Sequence, residues 1–148
     1  GAIKYNIVKV APEKPMIFKW EEALDFERVG APFIQYAHAR ACRILEKAEL
    51  TNKINYNLLK LPYEKKLVKL LAKYPNIVEE AALTRKPYLV ALYAQTLAEE
   101  FNKFYRFVPV LKAETGELVS LRLALVDCVR QTLVNSLYLL GVEAPTEM

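Results

Sequence analysis

APFIQYAHARACRIL, residues 31–45, is where the fold of this 148-residue chain can first be read. Pro32 stands where a first helical residue stands, since its fixed φ suits the turn and its missing N–H is not needed there. At 3.6 residues per turn, Ala37, Ala41, Ile44, Leu45 and Ala48 gather on a small apolar face that lets a neighbouring helix approach closely. Tyr36, Arg40, Arg43 and Lys47 gather on another face, with Phe33 one turn earlier. The stretch therefore predicts a helix to about Glu49 with two separable faces. Guanidinium groups bind phosphate bidentately, and exposed rings stack on unpaired bases at about 1–3 kcal/mol each. Readers of single-stranded RNA commonly combine the two. Spacing alone leaves that reading open beside a plain solvated face.

Outward from this stretch the helical period recurs, and strand-like alternation is scarce. IKYNIVKV (3–10) alternates briefly but has no partner run, and reads as a short helix. KWEEALDFE (19–27) begins with Trp20 beside two acids, as a first helical turn often does, and Gly30 closes it. LTNKINYNLLKL (50–61) is polar and Asn-rich, a loop leading to a short turn. PYEKKLVKLLAKYP (62–75), bracketed by prolines, sets Leu67, Leu70, Leu71 and Tyr74 against four lysines and predicts an amphipathic helix. NIVEEAALTRK (76–86) predicts a separate one, with Asn76 as N-cap, Glu79 three residues on, and Pro87 ending it. A long helix follows over about 88–106, and VPVLKAETGE (108–117) is a connection. The last helix, about 117–140, carries the stripe Leu118, Leu121, Leu125, Val129, Leu133, Leu137 and Leu140, with Gly141 as its left-handed stop. The reading is all-α: a single domain, 1–148, built as a bundle of about six helices joined by short loops.

Most chemistry is excluded by what the chain lacks. His38 is the only histidine, so neither a His-rich metal site nor a His-pair acid–base arrangement can form from it. With just Gly1, Gly30, Gly116 and Gly141, no glycine-rich phosphate cradle can be built. The acid pairs Glu21/Glu22, Glu79/Glu80 and Glu99/Glu100 are adjacent residues, which do not share a helix face, and they read as solvated surface. Cys42 and Cys128 belong to no CxxC and read as small buried residues of a reducing compartment. No apolar run approaches the roughly 18–20 residues of a membrane span. The formal charge of +4 and pI near 9.0 permit an RNA, phosphate or acidic partner without requiring one. Binding is what remains. A second aromatic cluster, FNKFYRF (101–107), ends the long helix: Phe101 and Phe104 continue a core stripe from Leu89, Leu92 and Leu97, while Asn102, Tyr105 and Arg106 lie off it. Tyr105 either offers its ring outward or fills the core edge with its hydroxyl wet. The remaining tyrosines, Tyr56 and Tyr138 among them, read as core or rim.

Several of these segments also resemble arginyl-tRNA synthetases. GAPFIQYAHARACRILEKA is similar to the motif that opens the C-terminal anticodon-binding, DALR-type domain of that family. GAIKYNIVKVAPEKPMIFKWEEALDFE resembles the link that follows their catalytic core. LAEEFNKFYRFVPVLKAE and RLALVDCVRQTLVNSLYLLGVEAPTEM resemble the later motifs, the second being the family's chain terminus. The likeness is collinear over essentially all 148 residues, with residues 1–30 as the linking segment and 31–148 as the bundle. It departs in having Asn135–Ser136 where the family has Asn-Gly, and TEM where it ends in ERM.

The resemblance implies an α-helical bundle that grips the anticodon stem and loop of tRNA for arginine. It implies loop contacts at Phe33, Tyr36, Arg40, Tyr105 and Met148, with Gln35 and His38 as supporting residues. Arg43 and Lys47 would add contact to the RNA backbone, and Asn102 supports Tyr105's cluster. Tyr36, Arg40 and Tyr105 are marked by spacing as well; Met148 is marked by the resemblance alone. The family's HIGH and KMSK signatures are absent, so adenylation and transfer would lie in a catalytic domain outside this chain, and this stretch alone should be inactive. No cofactor is expected here; ATP and magnesium belong to the full-length ligase. The implied protein is cytoplasmic, with no membrane or DNA partner. Rival readings are a stand-alone tRNA-binding adaptor and a helical protein–protein module.

Overall fold

A computed structural model describes residues 1–15, 29–48 and 54–148. Among them are five α-helices: α1 Ala2–Val8, α2 Ala31–Leu45, α3 Pro62–Thr84, α4 Tyr88–Phe107 and α5 Gly116–Leu139, with one 3-10 turn at Tyr56–Leu58 before α3. The all-α bundle and the expected order of helices are observed. The helix expected over 19–27 lies outside the described residues.

α3 packs along α4 and α2 along α5, α4 joins the two pairs by packing on α5 and α2 as well, and α1 caps one end against α2 and α4. Ile34, Leu67, Leu97, Phe101, Phe104, Leu133 and Leu137 are fully buried where the helices meet. Each such side chain contributes roughly 1.5–3 kcal/mol by leaving water. Ala37 and Ala41 are also fully covered, and so carry out the close approach that the small face of α2 predicts. At the start of α2, Gly30 has φ 128°, a backbone that L side chains rarely adopt, and its N–H donates to Gln95 Oε1 at 3.2 Å.

The two helices expected over 62–75 and 76–86 are one. α3 runs through Pro75, so Asn76 is no cap. A proline in a helix interior removes one hydrogen bond and presses on the carbonyl four residues back, here that of Leu71. The turn survives because it is held from outside: Leu70, Leu71, Tyr74 and Ile77 pack on the core, and the Tyr93 hydroxyl of α4 donates to the Leu70 carbonyl at 2.9 Å. α3 ends at Thr84, with Arg85 in the left-handed region (φ 56°) and the Lys86 N–H closing on the Ala81 carbonyl.

The far end of α5 is as expected. Gly141 has φ 65°, its N–H reaches the Tyr138 carbonyl, and the Val142 N–H reaches Leu137, which is the paired closure of a left-handed helix stop. Thr115 caps the other end, its hydroxyl accepting from the Leu118 N–H.

Several side chains depart from the periodicity. Leu92, Tyr56 and Tyr138 are exposed, and Cys128 is exposed where a buried residue was expected, because each sits on the outer face of its helix or turn. Glu100 departs the other way. It is buried, and Lys66 (3.2 Å) and Lys103 (2.7 Å) fold over its Oε1. Burial raises its pKa, but the two ammonium groups outweigh that and hold the carboxyl below its usual value. Glu64 is fully buried at the start of α3, where one carboxylate oxygen accepts from the Lys60 and Leu61 N–H groups and the other pairs with Arg122 Nε at 2.8 Å. Arg122 also donates to the Pro109 carbonyl at 2.9 Å, which ties the 108–112 connection to α3 and α5.

Candidate nucleic-acid interface

The cationic face of α2 meets the end of α4 and the connection that follows it. Tyr36, Arg40, Arg43 and Lys47, one turn apart in sequence, all line a depression of about 450 Å³. Tyr105 of α4 closes it, and the opposite wall is the 108–112 connection with Lys112. A broader depression of about 870 Å³ adjoins it, sharing Tyr36, Arg40, Tyr105 and Met148 and adding Phe33, Asn102 and Arg106. Among the described residues no acidic side chain lines either one, so the arginines and lysines face the opening without an Asp or Glu on its walls.

At the centre stands Arg40. Its Cζ lies 4.6 Å from the Tyr36 ring centroid and 4.6 Å from that of Tyr105, so one guanidinium bridges rings carried by two helices. It also donates to the Asn102 side-chain oxygen, which fixes the plane of the group. Its other N–H groups have no hydrogen-bond partner among the described residues and remain available. Tyr36 and Tyr105 are 41% and 47% exposed, so both rings keep open surface although they contact the cation.

The other expected residues divide in two. Arg43 and Lys47 are exposed on the depression's wall. Phe33 is covered, at 9% exposure, and lines the broader depression from the core side. Met148 is exposed and lines both depressions, with its main-chain oxygen accepting from Arg43 at 3.3 Å. Gln35 and His38 do not face the opening. Gln35 donates to the Glu143 carbonyl at 2.8 Å, and His38 Nδ1 lies 2.8 Å from the Pro145 carbonyl. A carbonyl only accepts, so Nδ1 carries the proton and Nε2 is left to accept from the Cys42 thiol at 3.6 Å. Burial holds His38 below its ordinary pKa and pushes the Cys42 thiol up, so the pair is a neutral packing contact and no activated nucleophile.

These contacts invite comparison with known proteins. The family model described as "DALR anticodon binding domain" matches residues 34–148. The chain belongs to the DALR anticodon binding domain family. An arginine–tRNA ligase of Methanococcus maripaludis is 53% identical over 149 residues, covering 100% of this chain and 26% of the relative. One from Methanosarcina acetivorans is 50% identical over 154 residues, covering 100% of this chain and 27% of its own length. Among solved structures, Thermus thermophilus arginyl-tRNA synthetase superposes with a TM-score of 0.94 at 39% identity, over 100% of this chain and 26% of that one. The chain thus spans about a quarter of the length of the curated relatives it matches.

Within this DALR domain the two strongest sequence signals, the α2 stripe and the exposed Tyr105, meet at one cation. Lys112 and the Val108–Leu111 wall escaped the sequence reading, which treated 108–117 as a bare connection. A lysine following Pro109, directly after an aromatic cluster, was the available signal. Arg122 left no such signal, since only the fold shows that it anchors the wall of the DALR domain's cleft through Pro109.

Proposed function

We propose that this domain grips the anticodon stem and loop of tRNA for arginine and serves an arginine–tRNA ligase whose catalytic part lies outside the chain. The observation that carries the reading is the Arg40 guanidinium held between two half-exposed tyrosine rings, in a cleft that no acidic side chain lines among the described residues. Unstacked loop bases fit the open surfaces of Tyr36 and Tyr105, because every base has a π-face for a ring to meet. The free N–H groups of Arg40 suit a base edge or a phosphate, while Arg43, Lys47 and Lys112 supply salt-dependent attraction to the backbone. Phe33 supports this surface from beneath, and Met148 closes its rim. Binding here aligns the tRNA so that its acceptor end reaches the distant catalytic site. ATP and magnesium serve that site, and the complete protein works in the cytoplasm. The stand-alone adaptor is the weaker reading, because the relatives matched over the whole chain are themselves ligases.

The test uses the complete protein and a transcript of tRNA for arginine, with a second transcript altered at the middle anticodon base. Tighter binding of the first, lost in Arg40→Ala, supports the reading. Equal binding of both transcripts by the wild-type protein refutes it.

A further inference from the structure

From Gly141 onward the chain has neither helix nor strand, yet its main-chain oxygens are claimed at four points. Lys4 Nζ of α1 donates to Gly141 (3.1 Å), and three residues of α2 continue the series: Gln35 to Glu143 (2.8 Å), His38 to Pro145 (2.8 Å) and Arg43 to Met148 (3.3 Å). The donors ascend α2 in the order in which the acceptors ascend the tail, so the tail lies along the helix and in its direction. In all four the tail accepts through its main chain. The tail contributes side-chain packing at Val142, which is buried, and at Ala144, which packs against the core. An irregular segment supplies no hydrogen bonds of its own, so its placement depends on outside donors. Here the donors sit on α2, and they fix where Met148 arrives.

We propose that Gln35 and His38 are positioning residues for the RNA cleft: by holding the Glu143 and Pro145 carbonyls they set the register of the tail and so place Met148 on the cleft wall. The inference rests on the anticodon-loop reading. His38 is the stronger of the two, being 2% exposed and fixed as an Nδ1–H donor by the Cys42 thiol on its other nitrogen. Gln35 is half-buried and works beside it. Neither touches the opening, so both act through the tail.

The complete protein tests this with two readouts, hydrogen exchange of the amides beyond Gly141 and affinity for the tRNA transcript. In His38→Leu, tail exchange should rise sharply while that of α4 and α5 stays slow, and the Kd for tRNA should rise about tenfold. His38→Asn, whose amide N–H can stand where Nδ1 stands, should restore most of both. Gln35→Ala should show the same pair of changes at smaller amplitude, and it decides the question if His38→Leu does not fold. Tail exchange unchanged in these variants, or a freed tail with unchanged tRNA affinity, overturns the inference. Arg40→Ala separates the two ideas. If it weakens tRNA binding while freeing the tail does not, positioning through the tail fails and the anticodon reading stands. If neither Arg40→Ala nor the tail variants matter, it is the anticodon reading that has failed.

Discussion

A guanidinium between two rings is a packing contact that can leave some of its donors unused. At exposed positions each cation–π contact is worth about 0.5–1 kcal/mol. Arg40 makes two of them and remains half-exposed, so its free N–H groups still face solvent. Lysine carries the charge but neither the flat stacking surface nor the fork of donors. Arg40→Lys should therefore weaken tRNA binding nearly as much as Arg40→Ala, by roughly 1–3 kcal/mol in a titration of the complete protein. Lys47→Ala should cost less, and its effect should fade as salt is raised, because an exposed ammonium acts through a screened field. A full-sized Lys47 effect that persists at high salt would refute that division of roles. Helical spacing by itself puts Tyr36, Arg40, Arg43 and Lys47 on one face. It could not say whether Tyr105 looked outward, because a tyrosine at a core edge has the same period as one at a site.

Two elements carry constraints that no helical pattern displays. α3 tolerates Pro75 because Tyr93 and the α4 core hold the turn around it. Pro75→Ala would restore an N–H for the Leu71 carbonyl, against a modest gain of freedom in the unfolded chain. We expect stabilisation on the order of 1 kcal/mol in urea unfolding, and destabilisation would show that the ring itself packs usefully. Proline and Asn-capping signals favoured a break at 75–76; packing overrode them. The second constraint is the buried Glu64–Arg122 pair. Arg122→Met leaves a carboxylate sealed in the core and the Pro109 carbonyl without its donor, and should cost about 3–5 kcal/mol. The urea midpoint of the variant checks it, and a loss below about 1 kcal/mol would mean that the pair is loosely solvated. Residue 64 reads in sequence as one more acid in a first helical turn, and nothing local marks it as buried.

For the whole molecule, stability should form a plateau to which His38 contributes on the acid side and Tyr5 on the alkaline side, where burial raises Tyr93 as well. His38 is depressed from 6.5, first by burial and further by Arg130, with the bond to Pro145 opposing. The unfolded chain therefore takes up this proton first, and stability declines as pH falls below 6.5. Tyr5, whose hydroxyl donates to the Ala91 carbonyl, is pushed up from 10.0 to about 12 by burial and then by Glu99. Its contribution is complete below 10.0 and is lost as pH rises through about 12. Melting temperatures across this range should fall at both ends, with Tyr5→Phe flattening the alkaline limb and His38→Asn altering the acid one. An unchanged alkaline limb in Tyr5→Phe would assign it elsewhere. The sequence by itself determined that this is an all-α bundle, that α2 has a core face and a cationic face, and that α5 stops at Gly141, because periodicity and left-handed glycine stops are local properties. Only the tertiary structure decided that Tyr105 meets Arg40, that Pro75 lies inside a helix, and that Gln35 and His38 hold the tail. Those outcomes depend on which groups distant segments bring within hydrogen-bonding or stacking range, and no local pattern encodes a neighbour sixty or a hundred residues away.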